Sequence, residues 1–387
     1  MKFERSCGIL LHITSLPGHY GCGSLGEEAY RFADFLADSG QKYWQILPHN
    51  PVCGHLGYSP YLSPSTFAGN PLFISLEKLA KEKWISAGII PDDTFDPEND
   101  FADFRGREEV LYRTLRESFS LFVHHAPSDN MEEFENFCKK EAWWLDDYAL
   151  FSSLSEHHRT LQWTKWPDDH ARRKPAAIKK AIEEFSSQIT CQKFVQYIFD
   201  KQWKEWKTYC NDKGIRIIGD LPIYVGFDSA DGWVDHSIFQ MDESDLSLTN
   251  VAGVPPDYFC PTGQKWGNPL YQWKDDKGRL NDAVINWWIR RMRKYFSFVD
   301  MVRIDHFRAF SDYWSIPVDD ETAVNGKWIE GPGMEFFERI RKELGDIECI
   351  AEDLGDITES VEELRDDSGF PGMKILQFAF DGNPKNS

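Results

Sequence analysis

The sequence VDMVRID at positions 299–305 decides the fold class of this chain. It is a short apolar run that ends abruptly in a carboxylate, a pattern typical of parallel strands buried on both faces. Runs at 215–220 (IRIIGD) and 348–353 (ECIAED) repeat the pattern. Three more runs complete a set of six predicted strands: GILLHI at 8–13, KYWQIL at 42–47 and MKILQFAF at 373–380.

Helical patterns separate most of these runs. Apolar residues recur three and four positions apart in the segments 29–40, 286–298 and 334–345, and Gly40 is placed to end the first of them. Strands that alternate with helices predict an α/β fold with a parallel sheet, arranged either as a (β/α)8 barrel or as a doubly wound sheet.

The order of strands and helices divides the chain into three parts. Residues 1–74 carry strands one and two with the first rim loops, and residues 75–210 read almost wholly helical, which predicts an insertion subdomain. Residues 211–387 carry strands three to six, with a loop insertion at 226–275 whose length and aromatic content favour a functional role. A closed barrel needs eight strands. We therefore expect a TIM-type barrel truncated after about six strands, with the last strands outside this chain.

Composition excludes several classes of partner. The 387 residues carry a formal net charge of −20, which repels nucleic-acid backbones and anionic membrane surfaces. No apolar stretch approaches the roughly 18 residues of a membrane span. The eight cysteines form no C-x-x-C pair and read as reduced thiols, so a cytoplasmic location is predicted. The 15 tryptophans point to a surface for flat, amphipathic ligands.

Three of the predicted strands end in carboxylates, at Asp220, Asp305 and Glu352. The carboxyl ends of parallel strands meet on one face of the sheet, where ligands bind. Two carboxylates about 5–5.5 Å apart across a sugar perform retaining glycosidic chemistry. Arg303 shares a strand face with Asp305 and should keep it ionised as the nucleophile. Glu352 follows an apolar run, so a raised pKa would make it the acid/base.

Other interpretations of these residues remain open at this point. Each carboxylate could merely cap a helix or pair with an arginine. Asp305 and His306 could begin a metal site, but only His12 lies near another strand end, so no metal is predicted. The GCGSLG stretch at 21–26 matches a dinucleotide-binding pattern, yet no acidic residue ends the following strand. No cofactor is predicted.

A set of motifs in the second half of the chain resembles a known family. These motifs are RIDHFR at 303–308, Tyr313-Trp314, and IAEDLG at 350–355. They closely resemble the 4-α-glucanotransferases called amylomaltases or disproportionating enzymes, which are distant relatives of the α-amylases. Further matches run in order along essentially the whole chain: SPY (59–61), FAGNP (67–71), WLDDYALF (144–151), GDLPIYV (219–225), PPDYF (255–259), WGNPLY (266–271), GPG (331–333) and GFPGMK (369–374).

The resemblance implies a fold, a reaction and a set of site residues. The fold would be an interrupted (β/α)8 barrel. The enzyme would cut an α-1,4-glucosidic bond, hold the glucan as a β-glycosyl ester on Asp305 with Glu352 as acid/base, and pass it to another sugar's 4-hydroxyl. Its partners would be maltooligosaccharides, glucose or glycogen-derived dextrins, without a cofactor, and the loop 257–266 would fold over bound glucan. The substrate-binding residues would be Ser59, Tyr61, Asp220, Asp257, Trp266, Arg303 and His306.

The resemblance also implies a third carboxylate, in a Thr-His-Asp segment after residue 387. We therefore ascribe the activity to the full-length protein and expect residues 1–387 alone to be inactive. An α-glucan hydrolase on the same residues and a non-catalytic glucan-binding protein are the two alternatives. Transfer requires that water be kept from the intermediate. The aromatic walls expected to exclude it are Tyr58, Tyr61, Tyr258, Phe259 and Trp266.

Overall fold

A parallel sheet forms the centre of the computed structural model, which describes residues 4–18, 21–86, 88, 90, 101–257, 260–380 and 382. Within these residues five strands pair in the order β1-β2-β3-β8-β11, and every pairing is parallel. The predicted α/β class with a parallel sheet is confirmed. The strands of this sheet are β1 (Gly8–Leu10), β2 (Tyr43–Gln45), β3 (Arg216–Leu221), β8 (Met301–Ile304) and β11 (Cys349–Ala351).

The remaining strands are antiparallel. Four of them form a second sheet in the order β10-β9-β6-β7, and two short strands pair separately. Part of this sheet lies in the stretch 226–275, for which the sequence predicts a loop insertion. These strands are β4 (Met241–Asp242), β5 (Ser247–Leu248), β6 (Asn250–Val254), β7 (Gln264–Pro269), β9 (Asp312–Pro317) and β10 (Lys327–Glu330).

The sixth predicted strand, at 373–380, is wrong. Residues Leu376–Phe380 form a 3-10 helix instead, and Leu376 and Phe380 are 70% and 78% exposed. An apolar run predicts burial, but a strand also needs a neighbouring strand with which to hydrogen-bond. No strand within the described part of the chain pairs with this segment.

The helices follow the predicted apolar spacing. The first of them begins with Glu27 and Glu28, whose negative charges interact favourably with the positive end of the helix dipole. It buries Ala29, Ala33 and Leu36 on one side. It is followed by Gly40 with φ of +74°, as predicted. The helices are α1 (Glu27–Asp38), α2 (Leu76–Lys81), α3 (Phe104–His125), α4 (Ser128–His158), α5 (Asp168–Ala171), α6 (Pro175–Glu184), α7 (Ser186–Asp212), α8 (Ala230–Val234), α9 (Asp282–Phe298), α10 (Gly333–Leu344) and α11 (Glu359–Asp367).

Helices α2 to α7 occupy the predicted insertion, and α7 packs directly on the parallel sheet. Trp206 of α7 meets Trp44 of β2 edge to face, with ring centroids 5.0 Å apart. Trp203 donates its indole N–H to the Phe298 carbonyl at the end of α9, at 2.9 Å. Much of the tryptophan content therefore builds the core rather than a ligand surface. The fully buried tryptophans are Trp44, Trp163, Trp203, Trp206, Trp233, Trp287 and Trp288. None of the described helices combines the length and apolarity that crossing a bilayer demands.

Candidate active site

The three strand-end carboxylates lie on neighbouring strands. In the sheet Ile304 is aligned with Leu221 on one side and with Ala351 on the other. Asp305 and Glu352, the next residues, therefore leave adjacent strands at the same level, where strands are about 4.8 Å apart. Their backbones stay anchored, because the Asp305 N–H donates to Leu221 and the Glu352 N–H to Ile304, each at 3.0 Å.

Arg303 joins two of the carboxylates. Its Nη1 lies 2.5 Å from Oδ1 of Asp220 and 2.8 Å from Oδ1 of Asp305. The other oxygen of Asp220 accepts a hydrogen bond from the Tyr61 hydroxyl at 2.8 Å. Burial opposes the charge on Arg303, but the two carboxylates outweigh it and raise the pKa of the guanidinium. The guanidinium of Arg303 thus forms ion pairs with both Asp220 and Asp305. Spacing along the chain predicted only the pair with Asp305.

Burial dominates the acidities of these groups. It raises the pKa of Asp220 to about 6, against the attraction of Arg303. The pKa of Asp305 is also above its ordinary value, since burial outweighs the lowering by Arg303. The ionising effect predicted for Arg303 is therefore present but is not the larger one. Burial likewise raises the pKa of Glu352, with the charge of Asp305 adding to the effect. The raised pKa predicted for Glu352 therefore agrees with its surroundings.

Backbone N–H groups hold the Glu352 carboxylate. Its Oε2 accepts from the His306 N–H at 2.7 Å, and its Oε1 accepts from the Leu354 N–H at 3.0 Å. His306 adopts a left-handed backbone (φ 51°, ψ 48°), which is uncommon for a residue other than glycine. This conformation turns the chain into the 3-10 helix Phe307–Phe310 directly after Asp305. The strained residue therefore directly follows Asp305 and supplies one of the N–H groups that hold Glu352.

The imidazole of His306 is uncharged and packed against an aromatic ring. Burial lowers its pKa to about 4, and its ring meets Trp266 edge to face at 4.9 Å. Within the described part of the chain its Nε2 has no hydrogen-bond partner. No group of three or more His, Cys, Asp or Glu side chains in that part is arranged to hold a metal ion.

A cavity of about 350 Å³ opens beside Asp305. Ligand sites usually measure about 300–1,000 Å³ and combine apolar walls with a few polar groups. A cavity of about 550 Å³ near the start of α1 is larger, but it holds none of the three strand-end carboxylates. The lining residues of the smaller cavity are Ser59, Tyr61, Leu62, Pro222, Ile223, Tyr224, Trp266, Asn268, Asp305 and His306.

The structure brings most of the predicted site residues together. Ser59, Tyr61, Trp266, Asp305 and His306 line the cavity, and Asp220, Arg303 and Glu352 join them through the hydrogen bonds described above.

Asp257 and Tyr58 do not line the cavity. Oδ1 of Asp257 accepts from the Cys260 N–H at 2.6 Å within its own turn. Tyr58 donates to Glu108 at 2.7 Å and stacks on Phe104. The predicted wall residues at positions 258 and 259 lie outside the described residues.

Five lining residues were not predicted: Leu62, Pro222, Ile223, Tyr224 and Asn268. Asn268 lies two positions after Trp266 on β7, and residues two apart on a strand share a face, so this alternation could have identified it. Its amide donates to the Val225 carbonyl at 2.8 Å and ties β7 to the segment after β3. Tyr224 lies in that segment, four residues beyond Asp220, and no local pattern marks it.

Comparisons with known proteins identify the family of this chain. The model of the family described as 4-alpha-glucanotransferase matches residues 11–387. The 4-alpha-glucanotransferase of Synechocystis sp. is 44% identical over 392 residues, covering 99% of this chain and 75% of the relative. That of Thermus thermophilus is 44% identical over 390 residues, covering 100% and 75%.

Solved structures of amylomaltases also resemble this chain. The amylomaltase from Streptococcus agalactiae in complex with acarbose superposes with a TM-score of 0.91 at 39% identity, covering 99% of this chain and 76% of that one. The amylomaltase from Corynebacterium glutamicum, at 19% identity and a TM-score of 0.72, shares the fold over 98% of this chain and 52% of that one. The chain therefore belongs to the 4-alpha-glucanotransferase family.

Proposed function

We propose that the protein moves α-1,4-glucan segments between maltooligosaccharides by a retaining double displacement. The observation that carries this proposal is the placement of Asp305 and Glu352 at the same level of adjacent strands. Arg303 contacts one of these carboxylates, and backbone N–H groups contact the other. That arrangement provides one carboxylate to attack and one to exchange a proton on the same sugar.

In the first step the two carboxylates act together. Oδ2 of Asp305 attacks the anomeric carbon while Oδ1 remains on Arg303. The bond from that carbon to the leaving oxygen breaks, and Glu352 gives its proton to the leaving oxygen. The burial that raises the pKa of Glu352 keeps a larger share of it protonated for this task.

In the second step an acceptor sugar takes the place of the leaving group. Its 4-hydroxyl attacks the anomeric carbon, its proton passes to the Glu352 carboxylate, and the ester bond to Asp305 breaks. Glycosyl transfer to water would regenerate the same groups, so the outcome depends on which hydroxyl reaches the ester. The rings of Trp266 and Tyr224 in the cavity wall favour a sugar over water.

Asp220 has a specific part in this scheme. When Asp305 becomes an ester it loses its negative charge, which would leave the largely buried guanidinium of Arg303 without a counter-ion. Asp220, at 2.5 Å from the same nitrogen, keeps Arg303 paired throughout the cycle. An unpaired buried charge is strongly destabilising. We propose that Tyr61 holds Asp220 for this purpose.

The remaining predicted contacts belong to substrate binding. We propose that Ser59, Tyr61, Trp266 and His306 contact the sugar in the cavity that they line. The relative from S. agalactiae was solved with acarbose, which supports a sugar ligand for this cavity too. A role for Asp257 in a loop that closes over glucan stays a prediction. So do the preference among dextrins and the cytoplasmic location.

The decisive experiment incubates the full-length protein with maltotriose. We expect longer and shorter glucans to form while the total of reducing ends stays constant. Asp305→Asn and Glu352→Gln should each lower the rate by about 10²–10⁴-fold or more, because nucleophile and proton donor are lost. Asp282→Asn, an exposed carboxylate on α9, is the matched control and should leave the rate unchanged.

Three results would point elsewhere. A rising total of reducing ends would identify a hydrolase. Tight binding of maltose without any turnover by the wild-type protein would identify a glucan-binding protein. Unchanged product formation by Asp305→Asn would refute the proposed mechanism.

A further inference from the structure

A second buried arginine, Arg308, lies in the turn after the proposed nucleophile. It belongs to the 3-10 helix Phe307–Phe310 and is 5% exposed. Its Nε and Nη2 donate to the two oxygens of Asp312, at 2.9 and 3.3 Å. Its Nη1 donates to the backbone carbonyl of Asp356. The guanidinium carbon lies 3.7 Å from the centre of the Trp328 ring.

These contacts join three separate segments at the site. Arg308 comes from the turn after β8, Asp312 and Trp328 belong to β9 and β10, and Asp356 lies in the loop after β11. That loop also contains Leu354, whose N–H donates to Oε1 of Glu352. Arg308 therefore holds the loop two residues beyond the donor that orients Glu352.

We infer that Arg308 is a positioning residue for Glu352: it anchors the loop 353–356 so that the Leu354 N–H stays on the carboxylate. The inference rests on the proposed function, in which Glu352 exchanges the proton. Only arginine suits this position. Its planar fork can bond both oxygens of Asp312, reach a carbonyl and stack on an indole at once, whereas lysine offers a single nitrogen.

The expected signature is a change in proton exchange rather than in sugar binding. A backbone N–H bonded to a carboxylate lowers its pKa, and the Leu354 N–H has this effect on Glu352. If the loop shifts, this donor is lost and the pKa of Glu352 rises.

The other groups that face Glu352 stay in place in this change. They are Arg303 on β8, and Asp305 and the neutral His306, which directly follow that strand. The carboxylate of Asp353, the residue after Glu352, is paired with Arg365 of α11 at 2.7 Å. Because Glu352 would then lose its proton only at higher pH, the alkaline limb of the pH–rate profile should move to higher pH.

The test compares Arg308→Lys, Arg308→Met and Asp312→Asn with the wild-type full-length protein, measuring maltotriose disproportionation from pH 5 to 10. We expect kcat to fall about 10–100-fold with KM changed less than about threefold. We expect the alkaline limb to move to higher pH by about one to two units, the effect of one hydrogen bond to a charged group. Asp312→Asn keeps Arg308 and should give a smaller shift in the same direction.

Arg339→Lys is the matched control, because Arg339 makes an exposed ion pair with Asp282 on the outside of α10. Arg339→Lys should leave both kcat and the position of the alkaline limb of the pH–rate profile unchanged. If the Arg308 variants and Asp312→Asn lose rate but keep the wild-type limb, Arg308 is merely structural and the inference is wrong. Should Arg308→Met fail to fold, Arg308→Lys and Asp312→Asn still decide the question.

Glu352→Gln separates this inference from the proposed function. If Glu352→Gln abolishes turnover while the Arg308 variants keep the wild-type limb, only the inference fails. If Glu352→Gln keeps the wild-type rate, Glu352 is not the acid/base and both fail.

Discussion

A buried carboxylate on α8 should make the stability of this protein depend on pH. Asp231 of α8 is 3% exposed and accepts a hydrogen bond from the Thr66 N–H at 2.8 Å. Burial raises its pKa from the ordinary 3.8 to about 7, and the charge of Asp235 adds to this, while the Thr66 N–H and Arg291 oppose it. The substitution to test is Asp231→Asn, which keeps the shape and an acceptor oxygen for Thr66.

Proton linkage gives the direction and the size of the change in unfolding free energy with pH. Because the folded state holds the proton more tightly than the unfolded chain, this group's stabilising effect is complete below pH 4. It is lost as the pH rises towards 7. A tenfold change in a protonation equilibrium corresponds to about 1.4 kcal/mol, so the difference between 3.8 and about 7 amounts to about 4 kcal/mol. Asn cannot ionise, so Asp231→Asn should escape this loss.

Urea unfolding, followed by tryptophan fluorescence at pH values from 4 to 8, measures the effect. The free energy of unfolding of Asp231→Asn minus that of the wild type should increase by about 2–4 kcal/mol across this range. Most of the increase should fall below pH 7. Asp282→Asn, whose side chain is 78% exposed in the wild type, should show a nearly constant difference. A constant difference for Asp231→Asn as well would show that Asp231 titrates normally and would refute the reasoning.

Two further changes test the cavity and the loop beside it. Trp266→Ala removes a ring from the cavity wall and should raise KM for maltotriose about 5–20-fold, with Trp266→Phe intermediate; an unchanged KM would remove Trp266 from the binding site. Gly372→Ala would place a Cβ atom 2.3 Å from Oδ2 of Asp353, which is itself held by Arg365 and by the Met373 N–H. Thermal unfolding should show a loss of about 1–3 kcal/mol. Gly54→Ala, whose nearest neighbour is the hydroxyl of Tyr58 at 3.3 Å, should lose less, and equal losses would contradict the clash.

Much of the parallel sheet could be predicted because its strands carry their own signal. The run 299–305 is apolar where β8 is buried and charged where the strand ends, and the same holds for β3 and β11. The run 373–380 is also largely apolar, yet it forms no strand, since pairing depends on a neighbour that composition does not specify. For the stretch 226–275 the error was the opposite one: a loop was predicted and strands are present. Its glycines and prolines suit turns, and the antiparallel pairing of β6 with β7 and β9 creates strands between them.

The candidate site was predictable to the extent that its members lie at strand ends. Asp220, Asp305 and Glu352 could be grouped from position alone. Tyr61 could be included only through the family resemblance, because its partner Asp220 is 159 residues away along the chain. Arg308 occurs in the quoted motif RIDHFR, but nothing in that motif shows that its guanidinium reaches Asp356.

Sequence alone established the α/β class and the grouping of carboxylates at one edge of the sheet, since hydrophobic periodicity and strand ends are local properties of the chain. The family followed from the resemblance of its motifs. Tertiary structure alone decided how those carboxylates share their charges. Arg303 lies between Asp220 and Asp305, Glu352 receives two backbone N–H groups, and burial raises the pKa of all three acids. The reason is physical. Electrostatic energy depends on distance and on exclusion of water, and both arise only when segments remote in the chain pack together.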